Sequence, residues 1–495
     1  MGAIDMSIIN VALPSIRSTL GVTLTEVSWV ATGYLVAVVV ILPLTSWLAS
    51  VVGRKNLYLV AVVLFTAASF CCGLSHTLGV LLFFRILQGI GAGLMQPIAM
   101  AVLREVFPPA QQAMAMGIFG IAILLGPAIG PTLGGWLTDN YGWPWIFFIN
   151  VPIGAVTMLM AAQFLYDPSY LRRQRLKDVD LAGIALLAIG LGSLQIVLSE
   201  GQSRDWFNSI VITGLTTVAG AGVIAFVVRE LRARNPAVDL TILANPTFTS
   251  GTILGGLLGL SLFGTIFLLP LFMQELLRYD AFQSGLAMLP RSVVMMIGMP
   301  IAGRLYNRVG PRLMIGSGLG LSVLASLQMA LFTDQTDYLG LMIPQVWQGV
   351  SFSLIFVSLS TAALARVARA RMTNAAALYN LVRQVGGSFG IAIFATMLER
   401  QQTTVSARLL GYLNPYNVAF LARHSALTSG LAARGVAPAE TGAKALALLE
   451  GMVQQQAGVM AFEHTFFVIG ALFVVTLPLI FLLPPRREAV PETHA

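Results

Sequence analysis

Apolar residues run along this chain in long continuous blocks separated by short polar stretches. The blocks reach about 20 residues or more, the length a helix needs to cross ~30 Å of hydrocarbon. They lack the alternation in steps of two that a membrane barrel strand requires. With no water at that depth, a helix satisfies its own backbone. The pattern predicts fourteen spans, near 1–17, 25–51, 57–75, 77–105, 110–137, 144–166, 181–199, 209–230, 247–276, 280–305, 312–332, 338–366, 373–399 and 459–483. The first is short and begins almost at its own polar residue, Asp5, which implies a truncated chain or a start that lies upstream. No basic segment or small-residue cleavage site marks it as a signal peptide.

The spans group by repetition. Ser46, Trp47 and Leu48 with Gly53 and Arg54 recur as Gly303, Arg304 and Leu305 with Gly310 and Arg312. Gln88 and Gly89 recur as Gln348 and Gly349. Duplicated halves are a property of transporters whose site lies between them. The expected organisation is an all-α membrane protein: a six-helix bundle over 1–166, two linking spans over 167–246, a second six-helix bundle over 247–483, and a tail over 484–495. One long outer loop, 400–458, carries a helical stretch from Pro438, with Glu440 in its first turn and Leu446, Leu449 and Val453 on one face. It reads as a cap on the outer membrane surface, as an extension of the last span, or as a docking surface.

Composition agrees with this reading. Hydrophobic residues make up 57% of the 495 and charged residues 10%, against about 25% charged in a soluble domain. The net charge of +8 does not point to nucleic acid, because the cations sit in short loops. On one side lie Arg54, Lys55, Arg104, Arg172, Arg173, Arg175, Lys177, Arg229, Arg232, Arg234, Arg304, Arg308, Arg312, Arg366, Arg369, Arg371 and, in the tail, Arg486 and Arg487. The short loops of the other side hold Arg17, Arg204 and Arg278. The excess makes the first side cytoplasmic, with both termini there. Cys71 and Cys72 are adjacent and read as small packed residues. The four histidines have no metal-ligand spacing. No nucleophile–base pair or phosphate loop stands out, so an enzyme is not expected, nor a cofactor or metal.

Charges inside the spans need a reason, since each costs about 2.5–3.5 kcal/mol at the bilayer centre. Asp5 lies in span 1. A carboxyl held in a low-dielectric cavity can take up and give up a proton, which coupling to a proton gradient requires; permanent pairing with an arginine is the alternative. Arg85 in span 4 stays charged and can hold Asp5 when it is ionised, or simply anchor its helix through carbonyls. The repeat position of Arg85 is Gln345. Arg291 and Arg383 are the other buried cations, placed to line a cavity or to tie helices. Asn10, Trp29, Tyr34, Gln88 and Asn380 complete the candidate cavity, with packing the plainer role for Trp29 and Tyr34. In span 5, Gly126, Gly130 and Gly134 share one face and, with Pro127 and Gly135, suggest a close, bent helix contact, either simple packing or a seam between the halves. Gly53, Arg54 and Lys55, with Arg304, Arg308, Gly310 and Arg312, form candidate cytoplasmic gate loops or plain orientation anchors.

These segments resemble the major facilitator superfamily, and within it the fourteen-helix drug:proton antiporters of the EmrB/QacA type. Asp5 to Pro14 is similar to that family's acidic first-helix motif. Arg85 to Gly91 resembles the fourth-helix motif assigned to proton transfer, and Gly126 to Gly135 the fifth-helix antiporter signature. Trp143 to Pro152 and Asn380 to Ser388 resemble segments of EmrB-like members. Ser50 and Asn307 stand where the family places an acid. The resemblance implies export of amphipathic small molecules in exchange for protons at the inner membrane, without a cofactor. It also implies a possible periplasmic adaptor and outer-membrane channel. An uptake symporter of similar fold, and a receptor or scaffold that kept the fold without transport, are the other readings.

Overall fold

The computed structural model describes residues 1–167, 180–233 and 236–483, without the side chains of 124, 125, 127, 128, 281 and 438. Arg172, Arg173, Arg175, Lys177, Arg234, Arg486 and Arg487 and the tail lie outside the described residues. Every predicted span is helical. The elements are α1 (Gly2–Leu20), α2 (Leu24–Val27), α3 (Trp29–Ile41), α4 (Thr45–Val52), α5 (Arg54–Gly73), α6 (Leu78–Val106), α7 (Gln112–Tyr141), α8 (Trp145–Phe148) and α9 (Asn150–Phe164). They continue with α10 (Leu181–Glu200), α11 (Ile210–Arg232), α12 (Pro246–Glu275), α13 (Ala281–Val309), α14 (Pro311–Met329), α15 (Tyr338–Ala363), α16 (Met372–Leu410), α17 (Val418–Ala433) and α18 (Pro438–Thr476). Among the described residues, twelve helical segments are long and apolar enough to cross a membrane. α1 and α7 complete the fourteen spans. α7 runs unbroken through residues 127–131.

Two predicted spans are composite. Span 2 is α2, α3 and α4, with turns at Ser28 and at 42–44, where Pro43 has no N–H to give. Span 6 is α8 and α9, interrupted at Ile149. The expected loop 400–458 is mostly helix. α16 and α18 are each 39 residues long, about 58 Å at 1.5 Å per residue, so both overrun ~30 Å of hydrocarbon. α18 is continuous from Pro438, so the stretch extends the last span. Gln454 donates to Ser406 Oγ across the two extensions (2.9 Å), and α17 packs on α18.

Large apolar side chains point outward along the helices, among them Ile210, Ile224 and Leu231 on α11 and Val156, Leu159 and Met160 on α9. An apolar surface of this extent faces lipid rather than water. α10 and α11 pair with each other, and α10 packs on α3. The outer turn after α10 also reaches α16, where Trp206 Nε1 donates to Thr396 Oγ1 (2.9 Å) and Gln202 to Glu399.

The sequence repeat is matched by repeated backbone geometry. Gly53, between α4 and α5, has φ 93° and ψ 148°; Gly310, between α13 and α14, has φ 87° and ψ 160°. That region is open essentially to glycine alone. Gly89 on α6 lies against the Tyr34 carbonyl of α3, and Gly349 on α15 against the Arg291 carbonyl of α13; an added Cβ would come within 2.6 and 2.8 Å of those oxygens. Gly53→Ala and Gly310→Ala are therefore expected to destabilise the protein by about 1–3 kcal/mol each. Gly220→Ala, where a Cβ meets open space, is expected to be neutral. Thermal melting of the detergent-solubilised variants, read by size-exclusion chromatography, measures the difference.

Candidate functional site

The first half is built around one carboxylate. Asp5 lies in the first turn of α1, and its side chain and that of Arg85 on α6 are each 0% exposed. Arg85 Nη1 sits 2.6 Å from Asp5 Oδ2. The other oxygen, Oδ1, accepts from Gln88 Nε2 (2.8 Å) and Asn150 Nδ2 (3.0 Å). Asn150 also donates to Ser69 Oγ (3.1 Å), which donates to the Phe147 carbonyl (2.8 Å). α6 and α9 thus reach the two oxygens carried by α1, and α5 and α8 join through Asn150 and Ser69. Gln88 follows Arg85 by three residues, so both reach the same partner from one helical face.

The guanidinium is held from several sides. Nη1 also donates to Gln88 Oε1 (2.8 Å), and Nε to the Val30 carbonyl (3.1 Å). Its carbon lies 4.3 Å from the Tyr34 ring centre and 5.6 Å from that of Phe147, within cation–π range. Tyr34 donates its hydroxyl to the Gly2 carbonyl (3.2 Å). Tyr34 and Gln88, expected in the substrate cavity, are built into the surroundings of the pair.

All these groups belong to the first half. Asn10, on the same helix as Asp5, is exposed; Trp29 is half-buried. Arg291 and Arg383, in the second half, are buried without an ion pair among the described residues. Gln345 is buried too, and donates to the Ala287 and Leu341 carbonyls (2.8 and 3.0 Å). Asn380 donates to Met100 Sδ across the halves (3.3 Å) and to Ala376 O (2.8 Å).

The glycine stripe of α7 lies elsewhere than at the seam between the halves. A Cβ on Gly126 would meet Ala3 and Ile4, on Gly130 it would run into Ser7 Oγ, and on Gly134 it would meet Ile8. A Cβ on Gly135 would meet Val11 at an ordinary 3.7 Å. The stripe therefore beds α1 onto α7 inside the first half, and Ser7 Oγ donates to the Gly126 carbonyl (2.9 Å). A stripe of small residues defines a face without naming its partner, so the sequence left close packing and a seam open; these glycines take close packing within one half. The side chain of Pro127 lies outside the described residues. Other faces of the same helix meet the second half, Thr132 against Gly285 and, nearer the helix start, Gly117 and Gly120 against Met299 and Phe356.

The Arg-rich face carries its ties mostly within halves. Arg54 pairs with Glu105 (2.5 Å), and Lys55 N donates to Asp167 Oδ1 (2.8 Å) beside Gly53. Arg312 donates to the Leu483 and Phe481 carbonyls (2.7 and 3.0 Å). Arg304 and Arg308 are exposed at the end of α13. Asn307 donates to the Ala110 carbonyl (2.7 Å) and so joins the two halves. Asn150, Ser69 and Glu105 were not singled out from the sequence. The available signal was a polar residue within an apolar run for the first two, and an acid at a helix end for the third.

Residues 1–391 match the profile of the Major Facilitator Superfamily. Multidrug export protein EmrB of Escherichia coli (strain K12) is 35% identical over 486 residues, covering 98% of this chain and 93% of that protein. Fatty acid resistance protein FarB of Neisseria gonorrhoeae is 31% identical over 485 residues, covering 98% and 94%. Among solved structures, the proton:xylose symporter XylE superposes with a TM-score of 0.61 at 13% identity, over 97% of this chain and 92% of that one.

Removing one partner of a buried pair leaves an uncompensated charge, which costs about 3–5 kcal/mol. Arg85→Gln is expected to lower stability on that scale. The double variant Asp5→Asn with Arg85→Gln, which removes both charges, is expected to recover part of the loss. Melting temperatures of the three proteins in one detergent decide it.

Proposed function

Because this chain belongs to the Major Facilitator Superfamily, we propose that it is a proton-coupled antiporter that exports drugs or related amphipathic small molecules across the cytoplasmic membrane by alternating access. The observation that carries the reading is the fully enclosed Asp5–Arg85 pair, whose carboxylate has a donor on each oxygen. A structural anchor needs no ionisable group in hydrocarbon; a proton carrier does. The two relatives, named for multidrug export and fatty acid resistance, support amphipathic small molecules as the substrate class.

In this mechanism a proton arriving at Asp5 cancels the charge that Arg85 neutralises. The guanidinium then keeps Gln88 Oε1, the Val30 carbonyl and the two rings, while α1 loses its strongest tie to α6. α1 is bedded on the glycine face of α7, and α7 reaches Met299 and Phe356 of the second half through Gly117 and Gly120. A shift of α1 is therefore transmitted along one continuous helix to the opposite lobe. Proton and substrate bias the same two-state equilibrium in opposite directions. The proton gradient drives the cycle, with no bound cofactor. Asn10, Trp29, Asn380, Arg291 and Arg383 are the residues we assign to the substrate path.

The Arg-rich face is assigned to the cytoplasm, with both termini there, in an inner membrane. The loops around Gly53 and Gly310 then lie at the cytoplasmic gate. The projection of α16, α17 and α18 faces the other way and offers its surface to a periplasmic adaptor and, through it, an outer-membrane channel.

The test is export of a fluorescent dye, read as efflux from whole cells or uptake into inverted vesicles, energised by a pH gradient. Wild type is expected to export the dye, and Asp5→Asn to lose the gradient-dependent part. Unchanged gradient-driven efflux by Asp5→Asn removes Asp5 from the coupling role.

A further inference from the structure

The second half holds a charge that its own residues do not answer. Arg383 is 2% exposed. Its Nη2 donates to Asn380 Oδ1 at 3.2 Å, but Nε and Nη1 are buried without a hydrogen-bond partner among the described residues. One turn earlier on α16, Tyr379 is 1% exposed, and its hydroxyl also has no partner among them. A guanidinium carries only donors and keeps its charge. Leaving it buried and uncompensated is strongly unfavourable.

Among the described residues, no acid on the neighbouring helices pairs with Arg383. On the helices packed against α16, Glu105 is taken by Arg54, Glu200 accepts from Thr32 and Ser28, and Glu440 pairs with Lys444. Glu275, Glu450 and Glu463 are not buried. Glu399, on α16 itself, is about 24 Å along the helix at 1.5 Å per residue and accepts from Gln202. The contrast with Arg85, which has its carboxylate, is direct.

The place is also one a substrate can use. Arg383 is eleven residues into α16, about 16 Å from the Arg-rich end, near the middle of ~30 Å of hydrocarbon. Its partner Asn380 touches Met100 of the first half, so the group lies where the halves meet. The backbone beneath it is fixed, because Gly259 of α12 leaves no room for a Cβ against the Arg383 carbonyl. A ligand at this depth needs an apolar body as well as an anionic head.

We propose that Arg383 and Tyr379 form the head-group point of the substrate site and take the carboxylate of an amphipathic acid. The assignment rests on the transport reading above and narrows its substrate class.

The full chain, purified in a sugar detergent, is tested for binding of radiolabelled dodecanoate, with dodecyltrimethylammonium as a cation of matched tail. Wild type is expected to bind dodecanoate. Arg383→Gln weakens that binding about tenfold, the worth of one charge-assisted hydrogen bond, and leaves the cation bound as well or better. Arg383→Lys loses less, and Tyr379→Phe, which removes one hydroxyl, weakens dodecanoate several-fold even if Arg383→Gln fails to fold. The proposal is overturned if wild type does not bind dodecanoate, if Arg383→Gln binds it normally, if a folded Arg383→Gln loses both probes together, or if Tyr379→Phe binds dodecanoate as wild type does. Displacement of dodecanoate by equimolar phosphatidylglycerol also overturns it, in favour of a lipid site. Gradient-driven dye export that persists through any of these outcomes leaves the antiporter reading intact.

Discussion

The structure depends on how a single carboxyl group is answered by donors in a place without water. Taking a carboxylate and a guanidinium out of water costs several kcal/mol per ion, and their attraction repays this only when the remaining donors and acceptors are also met. Asp5 meets the condition through Arg85, Gln88 and Asn150. Arg85 adds the Val30 carbonyl and the faces of Tyr34 and Phe147. In the proposed cycle, a proton on Asp5 removes the attraction that holds α1 to α6.

Glycine sets how close the helices come, and so what can move. The first half beds α1 on α7 through Gly126, Gly130 and Gly134; the second half joins α12 to α16 through Gly256 against Gly386 and Gly264 against Phe394. Corresponding helices of the two repeats therefore use the same device. Tight pairs of this kind move as rigid units, which suits a rocking transporter better than a deformable core does. α7 packs on α1 and also on α13 and α15 of the second half, and that places it between the Asp5–Arg85 pair and the second lobe.

Much of this was legible in the chain. Apolar runs of membrane length locate the helices because hydrocarbon admits few alternatives. Asp5 and Arg85 were identifiable because charges in such runs are rare and need a partner. Gly53 and Gly310 carried the repeat in sequence and carry it again in backbone angles. What stayed hidden depends on three-dimensional neighbours. Asn150 and Ser69 are ordinary polar residues until five helices bring them beside Asp5. The partner of the α7 glycine face, the pairing of Arg54 with Glu105, and the unanswered charge of Arg383 follow from packing. The extension of α16 was read as loop because a helix beyond the membrane has no hydropathy signature, whereas that of α18 was read as a helical stretch from Pro438.

The central claim is that Asp5 itself changes protonation. Infrared difference spectroscopy of the reconstituted protein, taken between neutral and acidic pH, measures it directly through the carbonyl stretch of a protonated carboxyl. The account predicts a band from a buried carboxylic acid in wild type that is missing from Asp5→Asn. Spectra of the two proteins that coincide throughout the carboxyl region would contradict it.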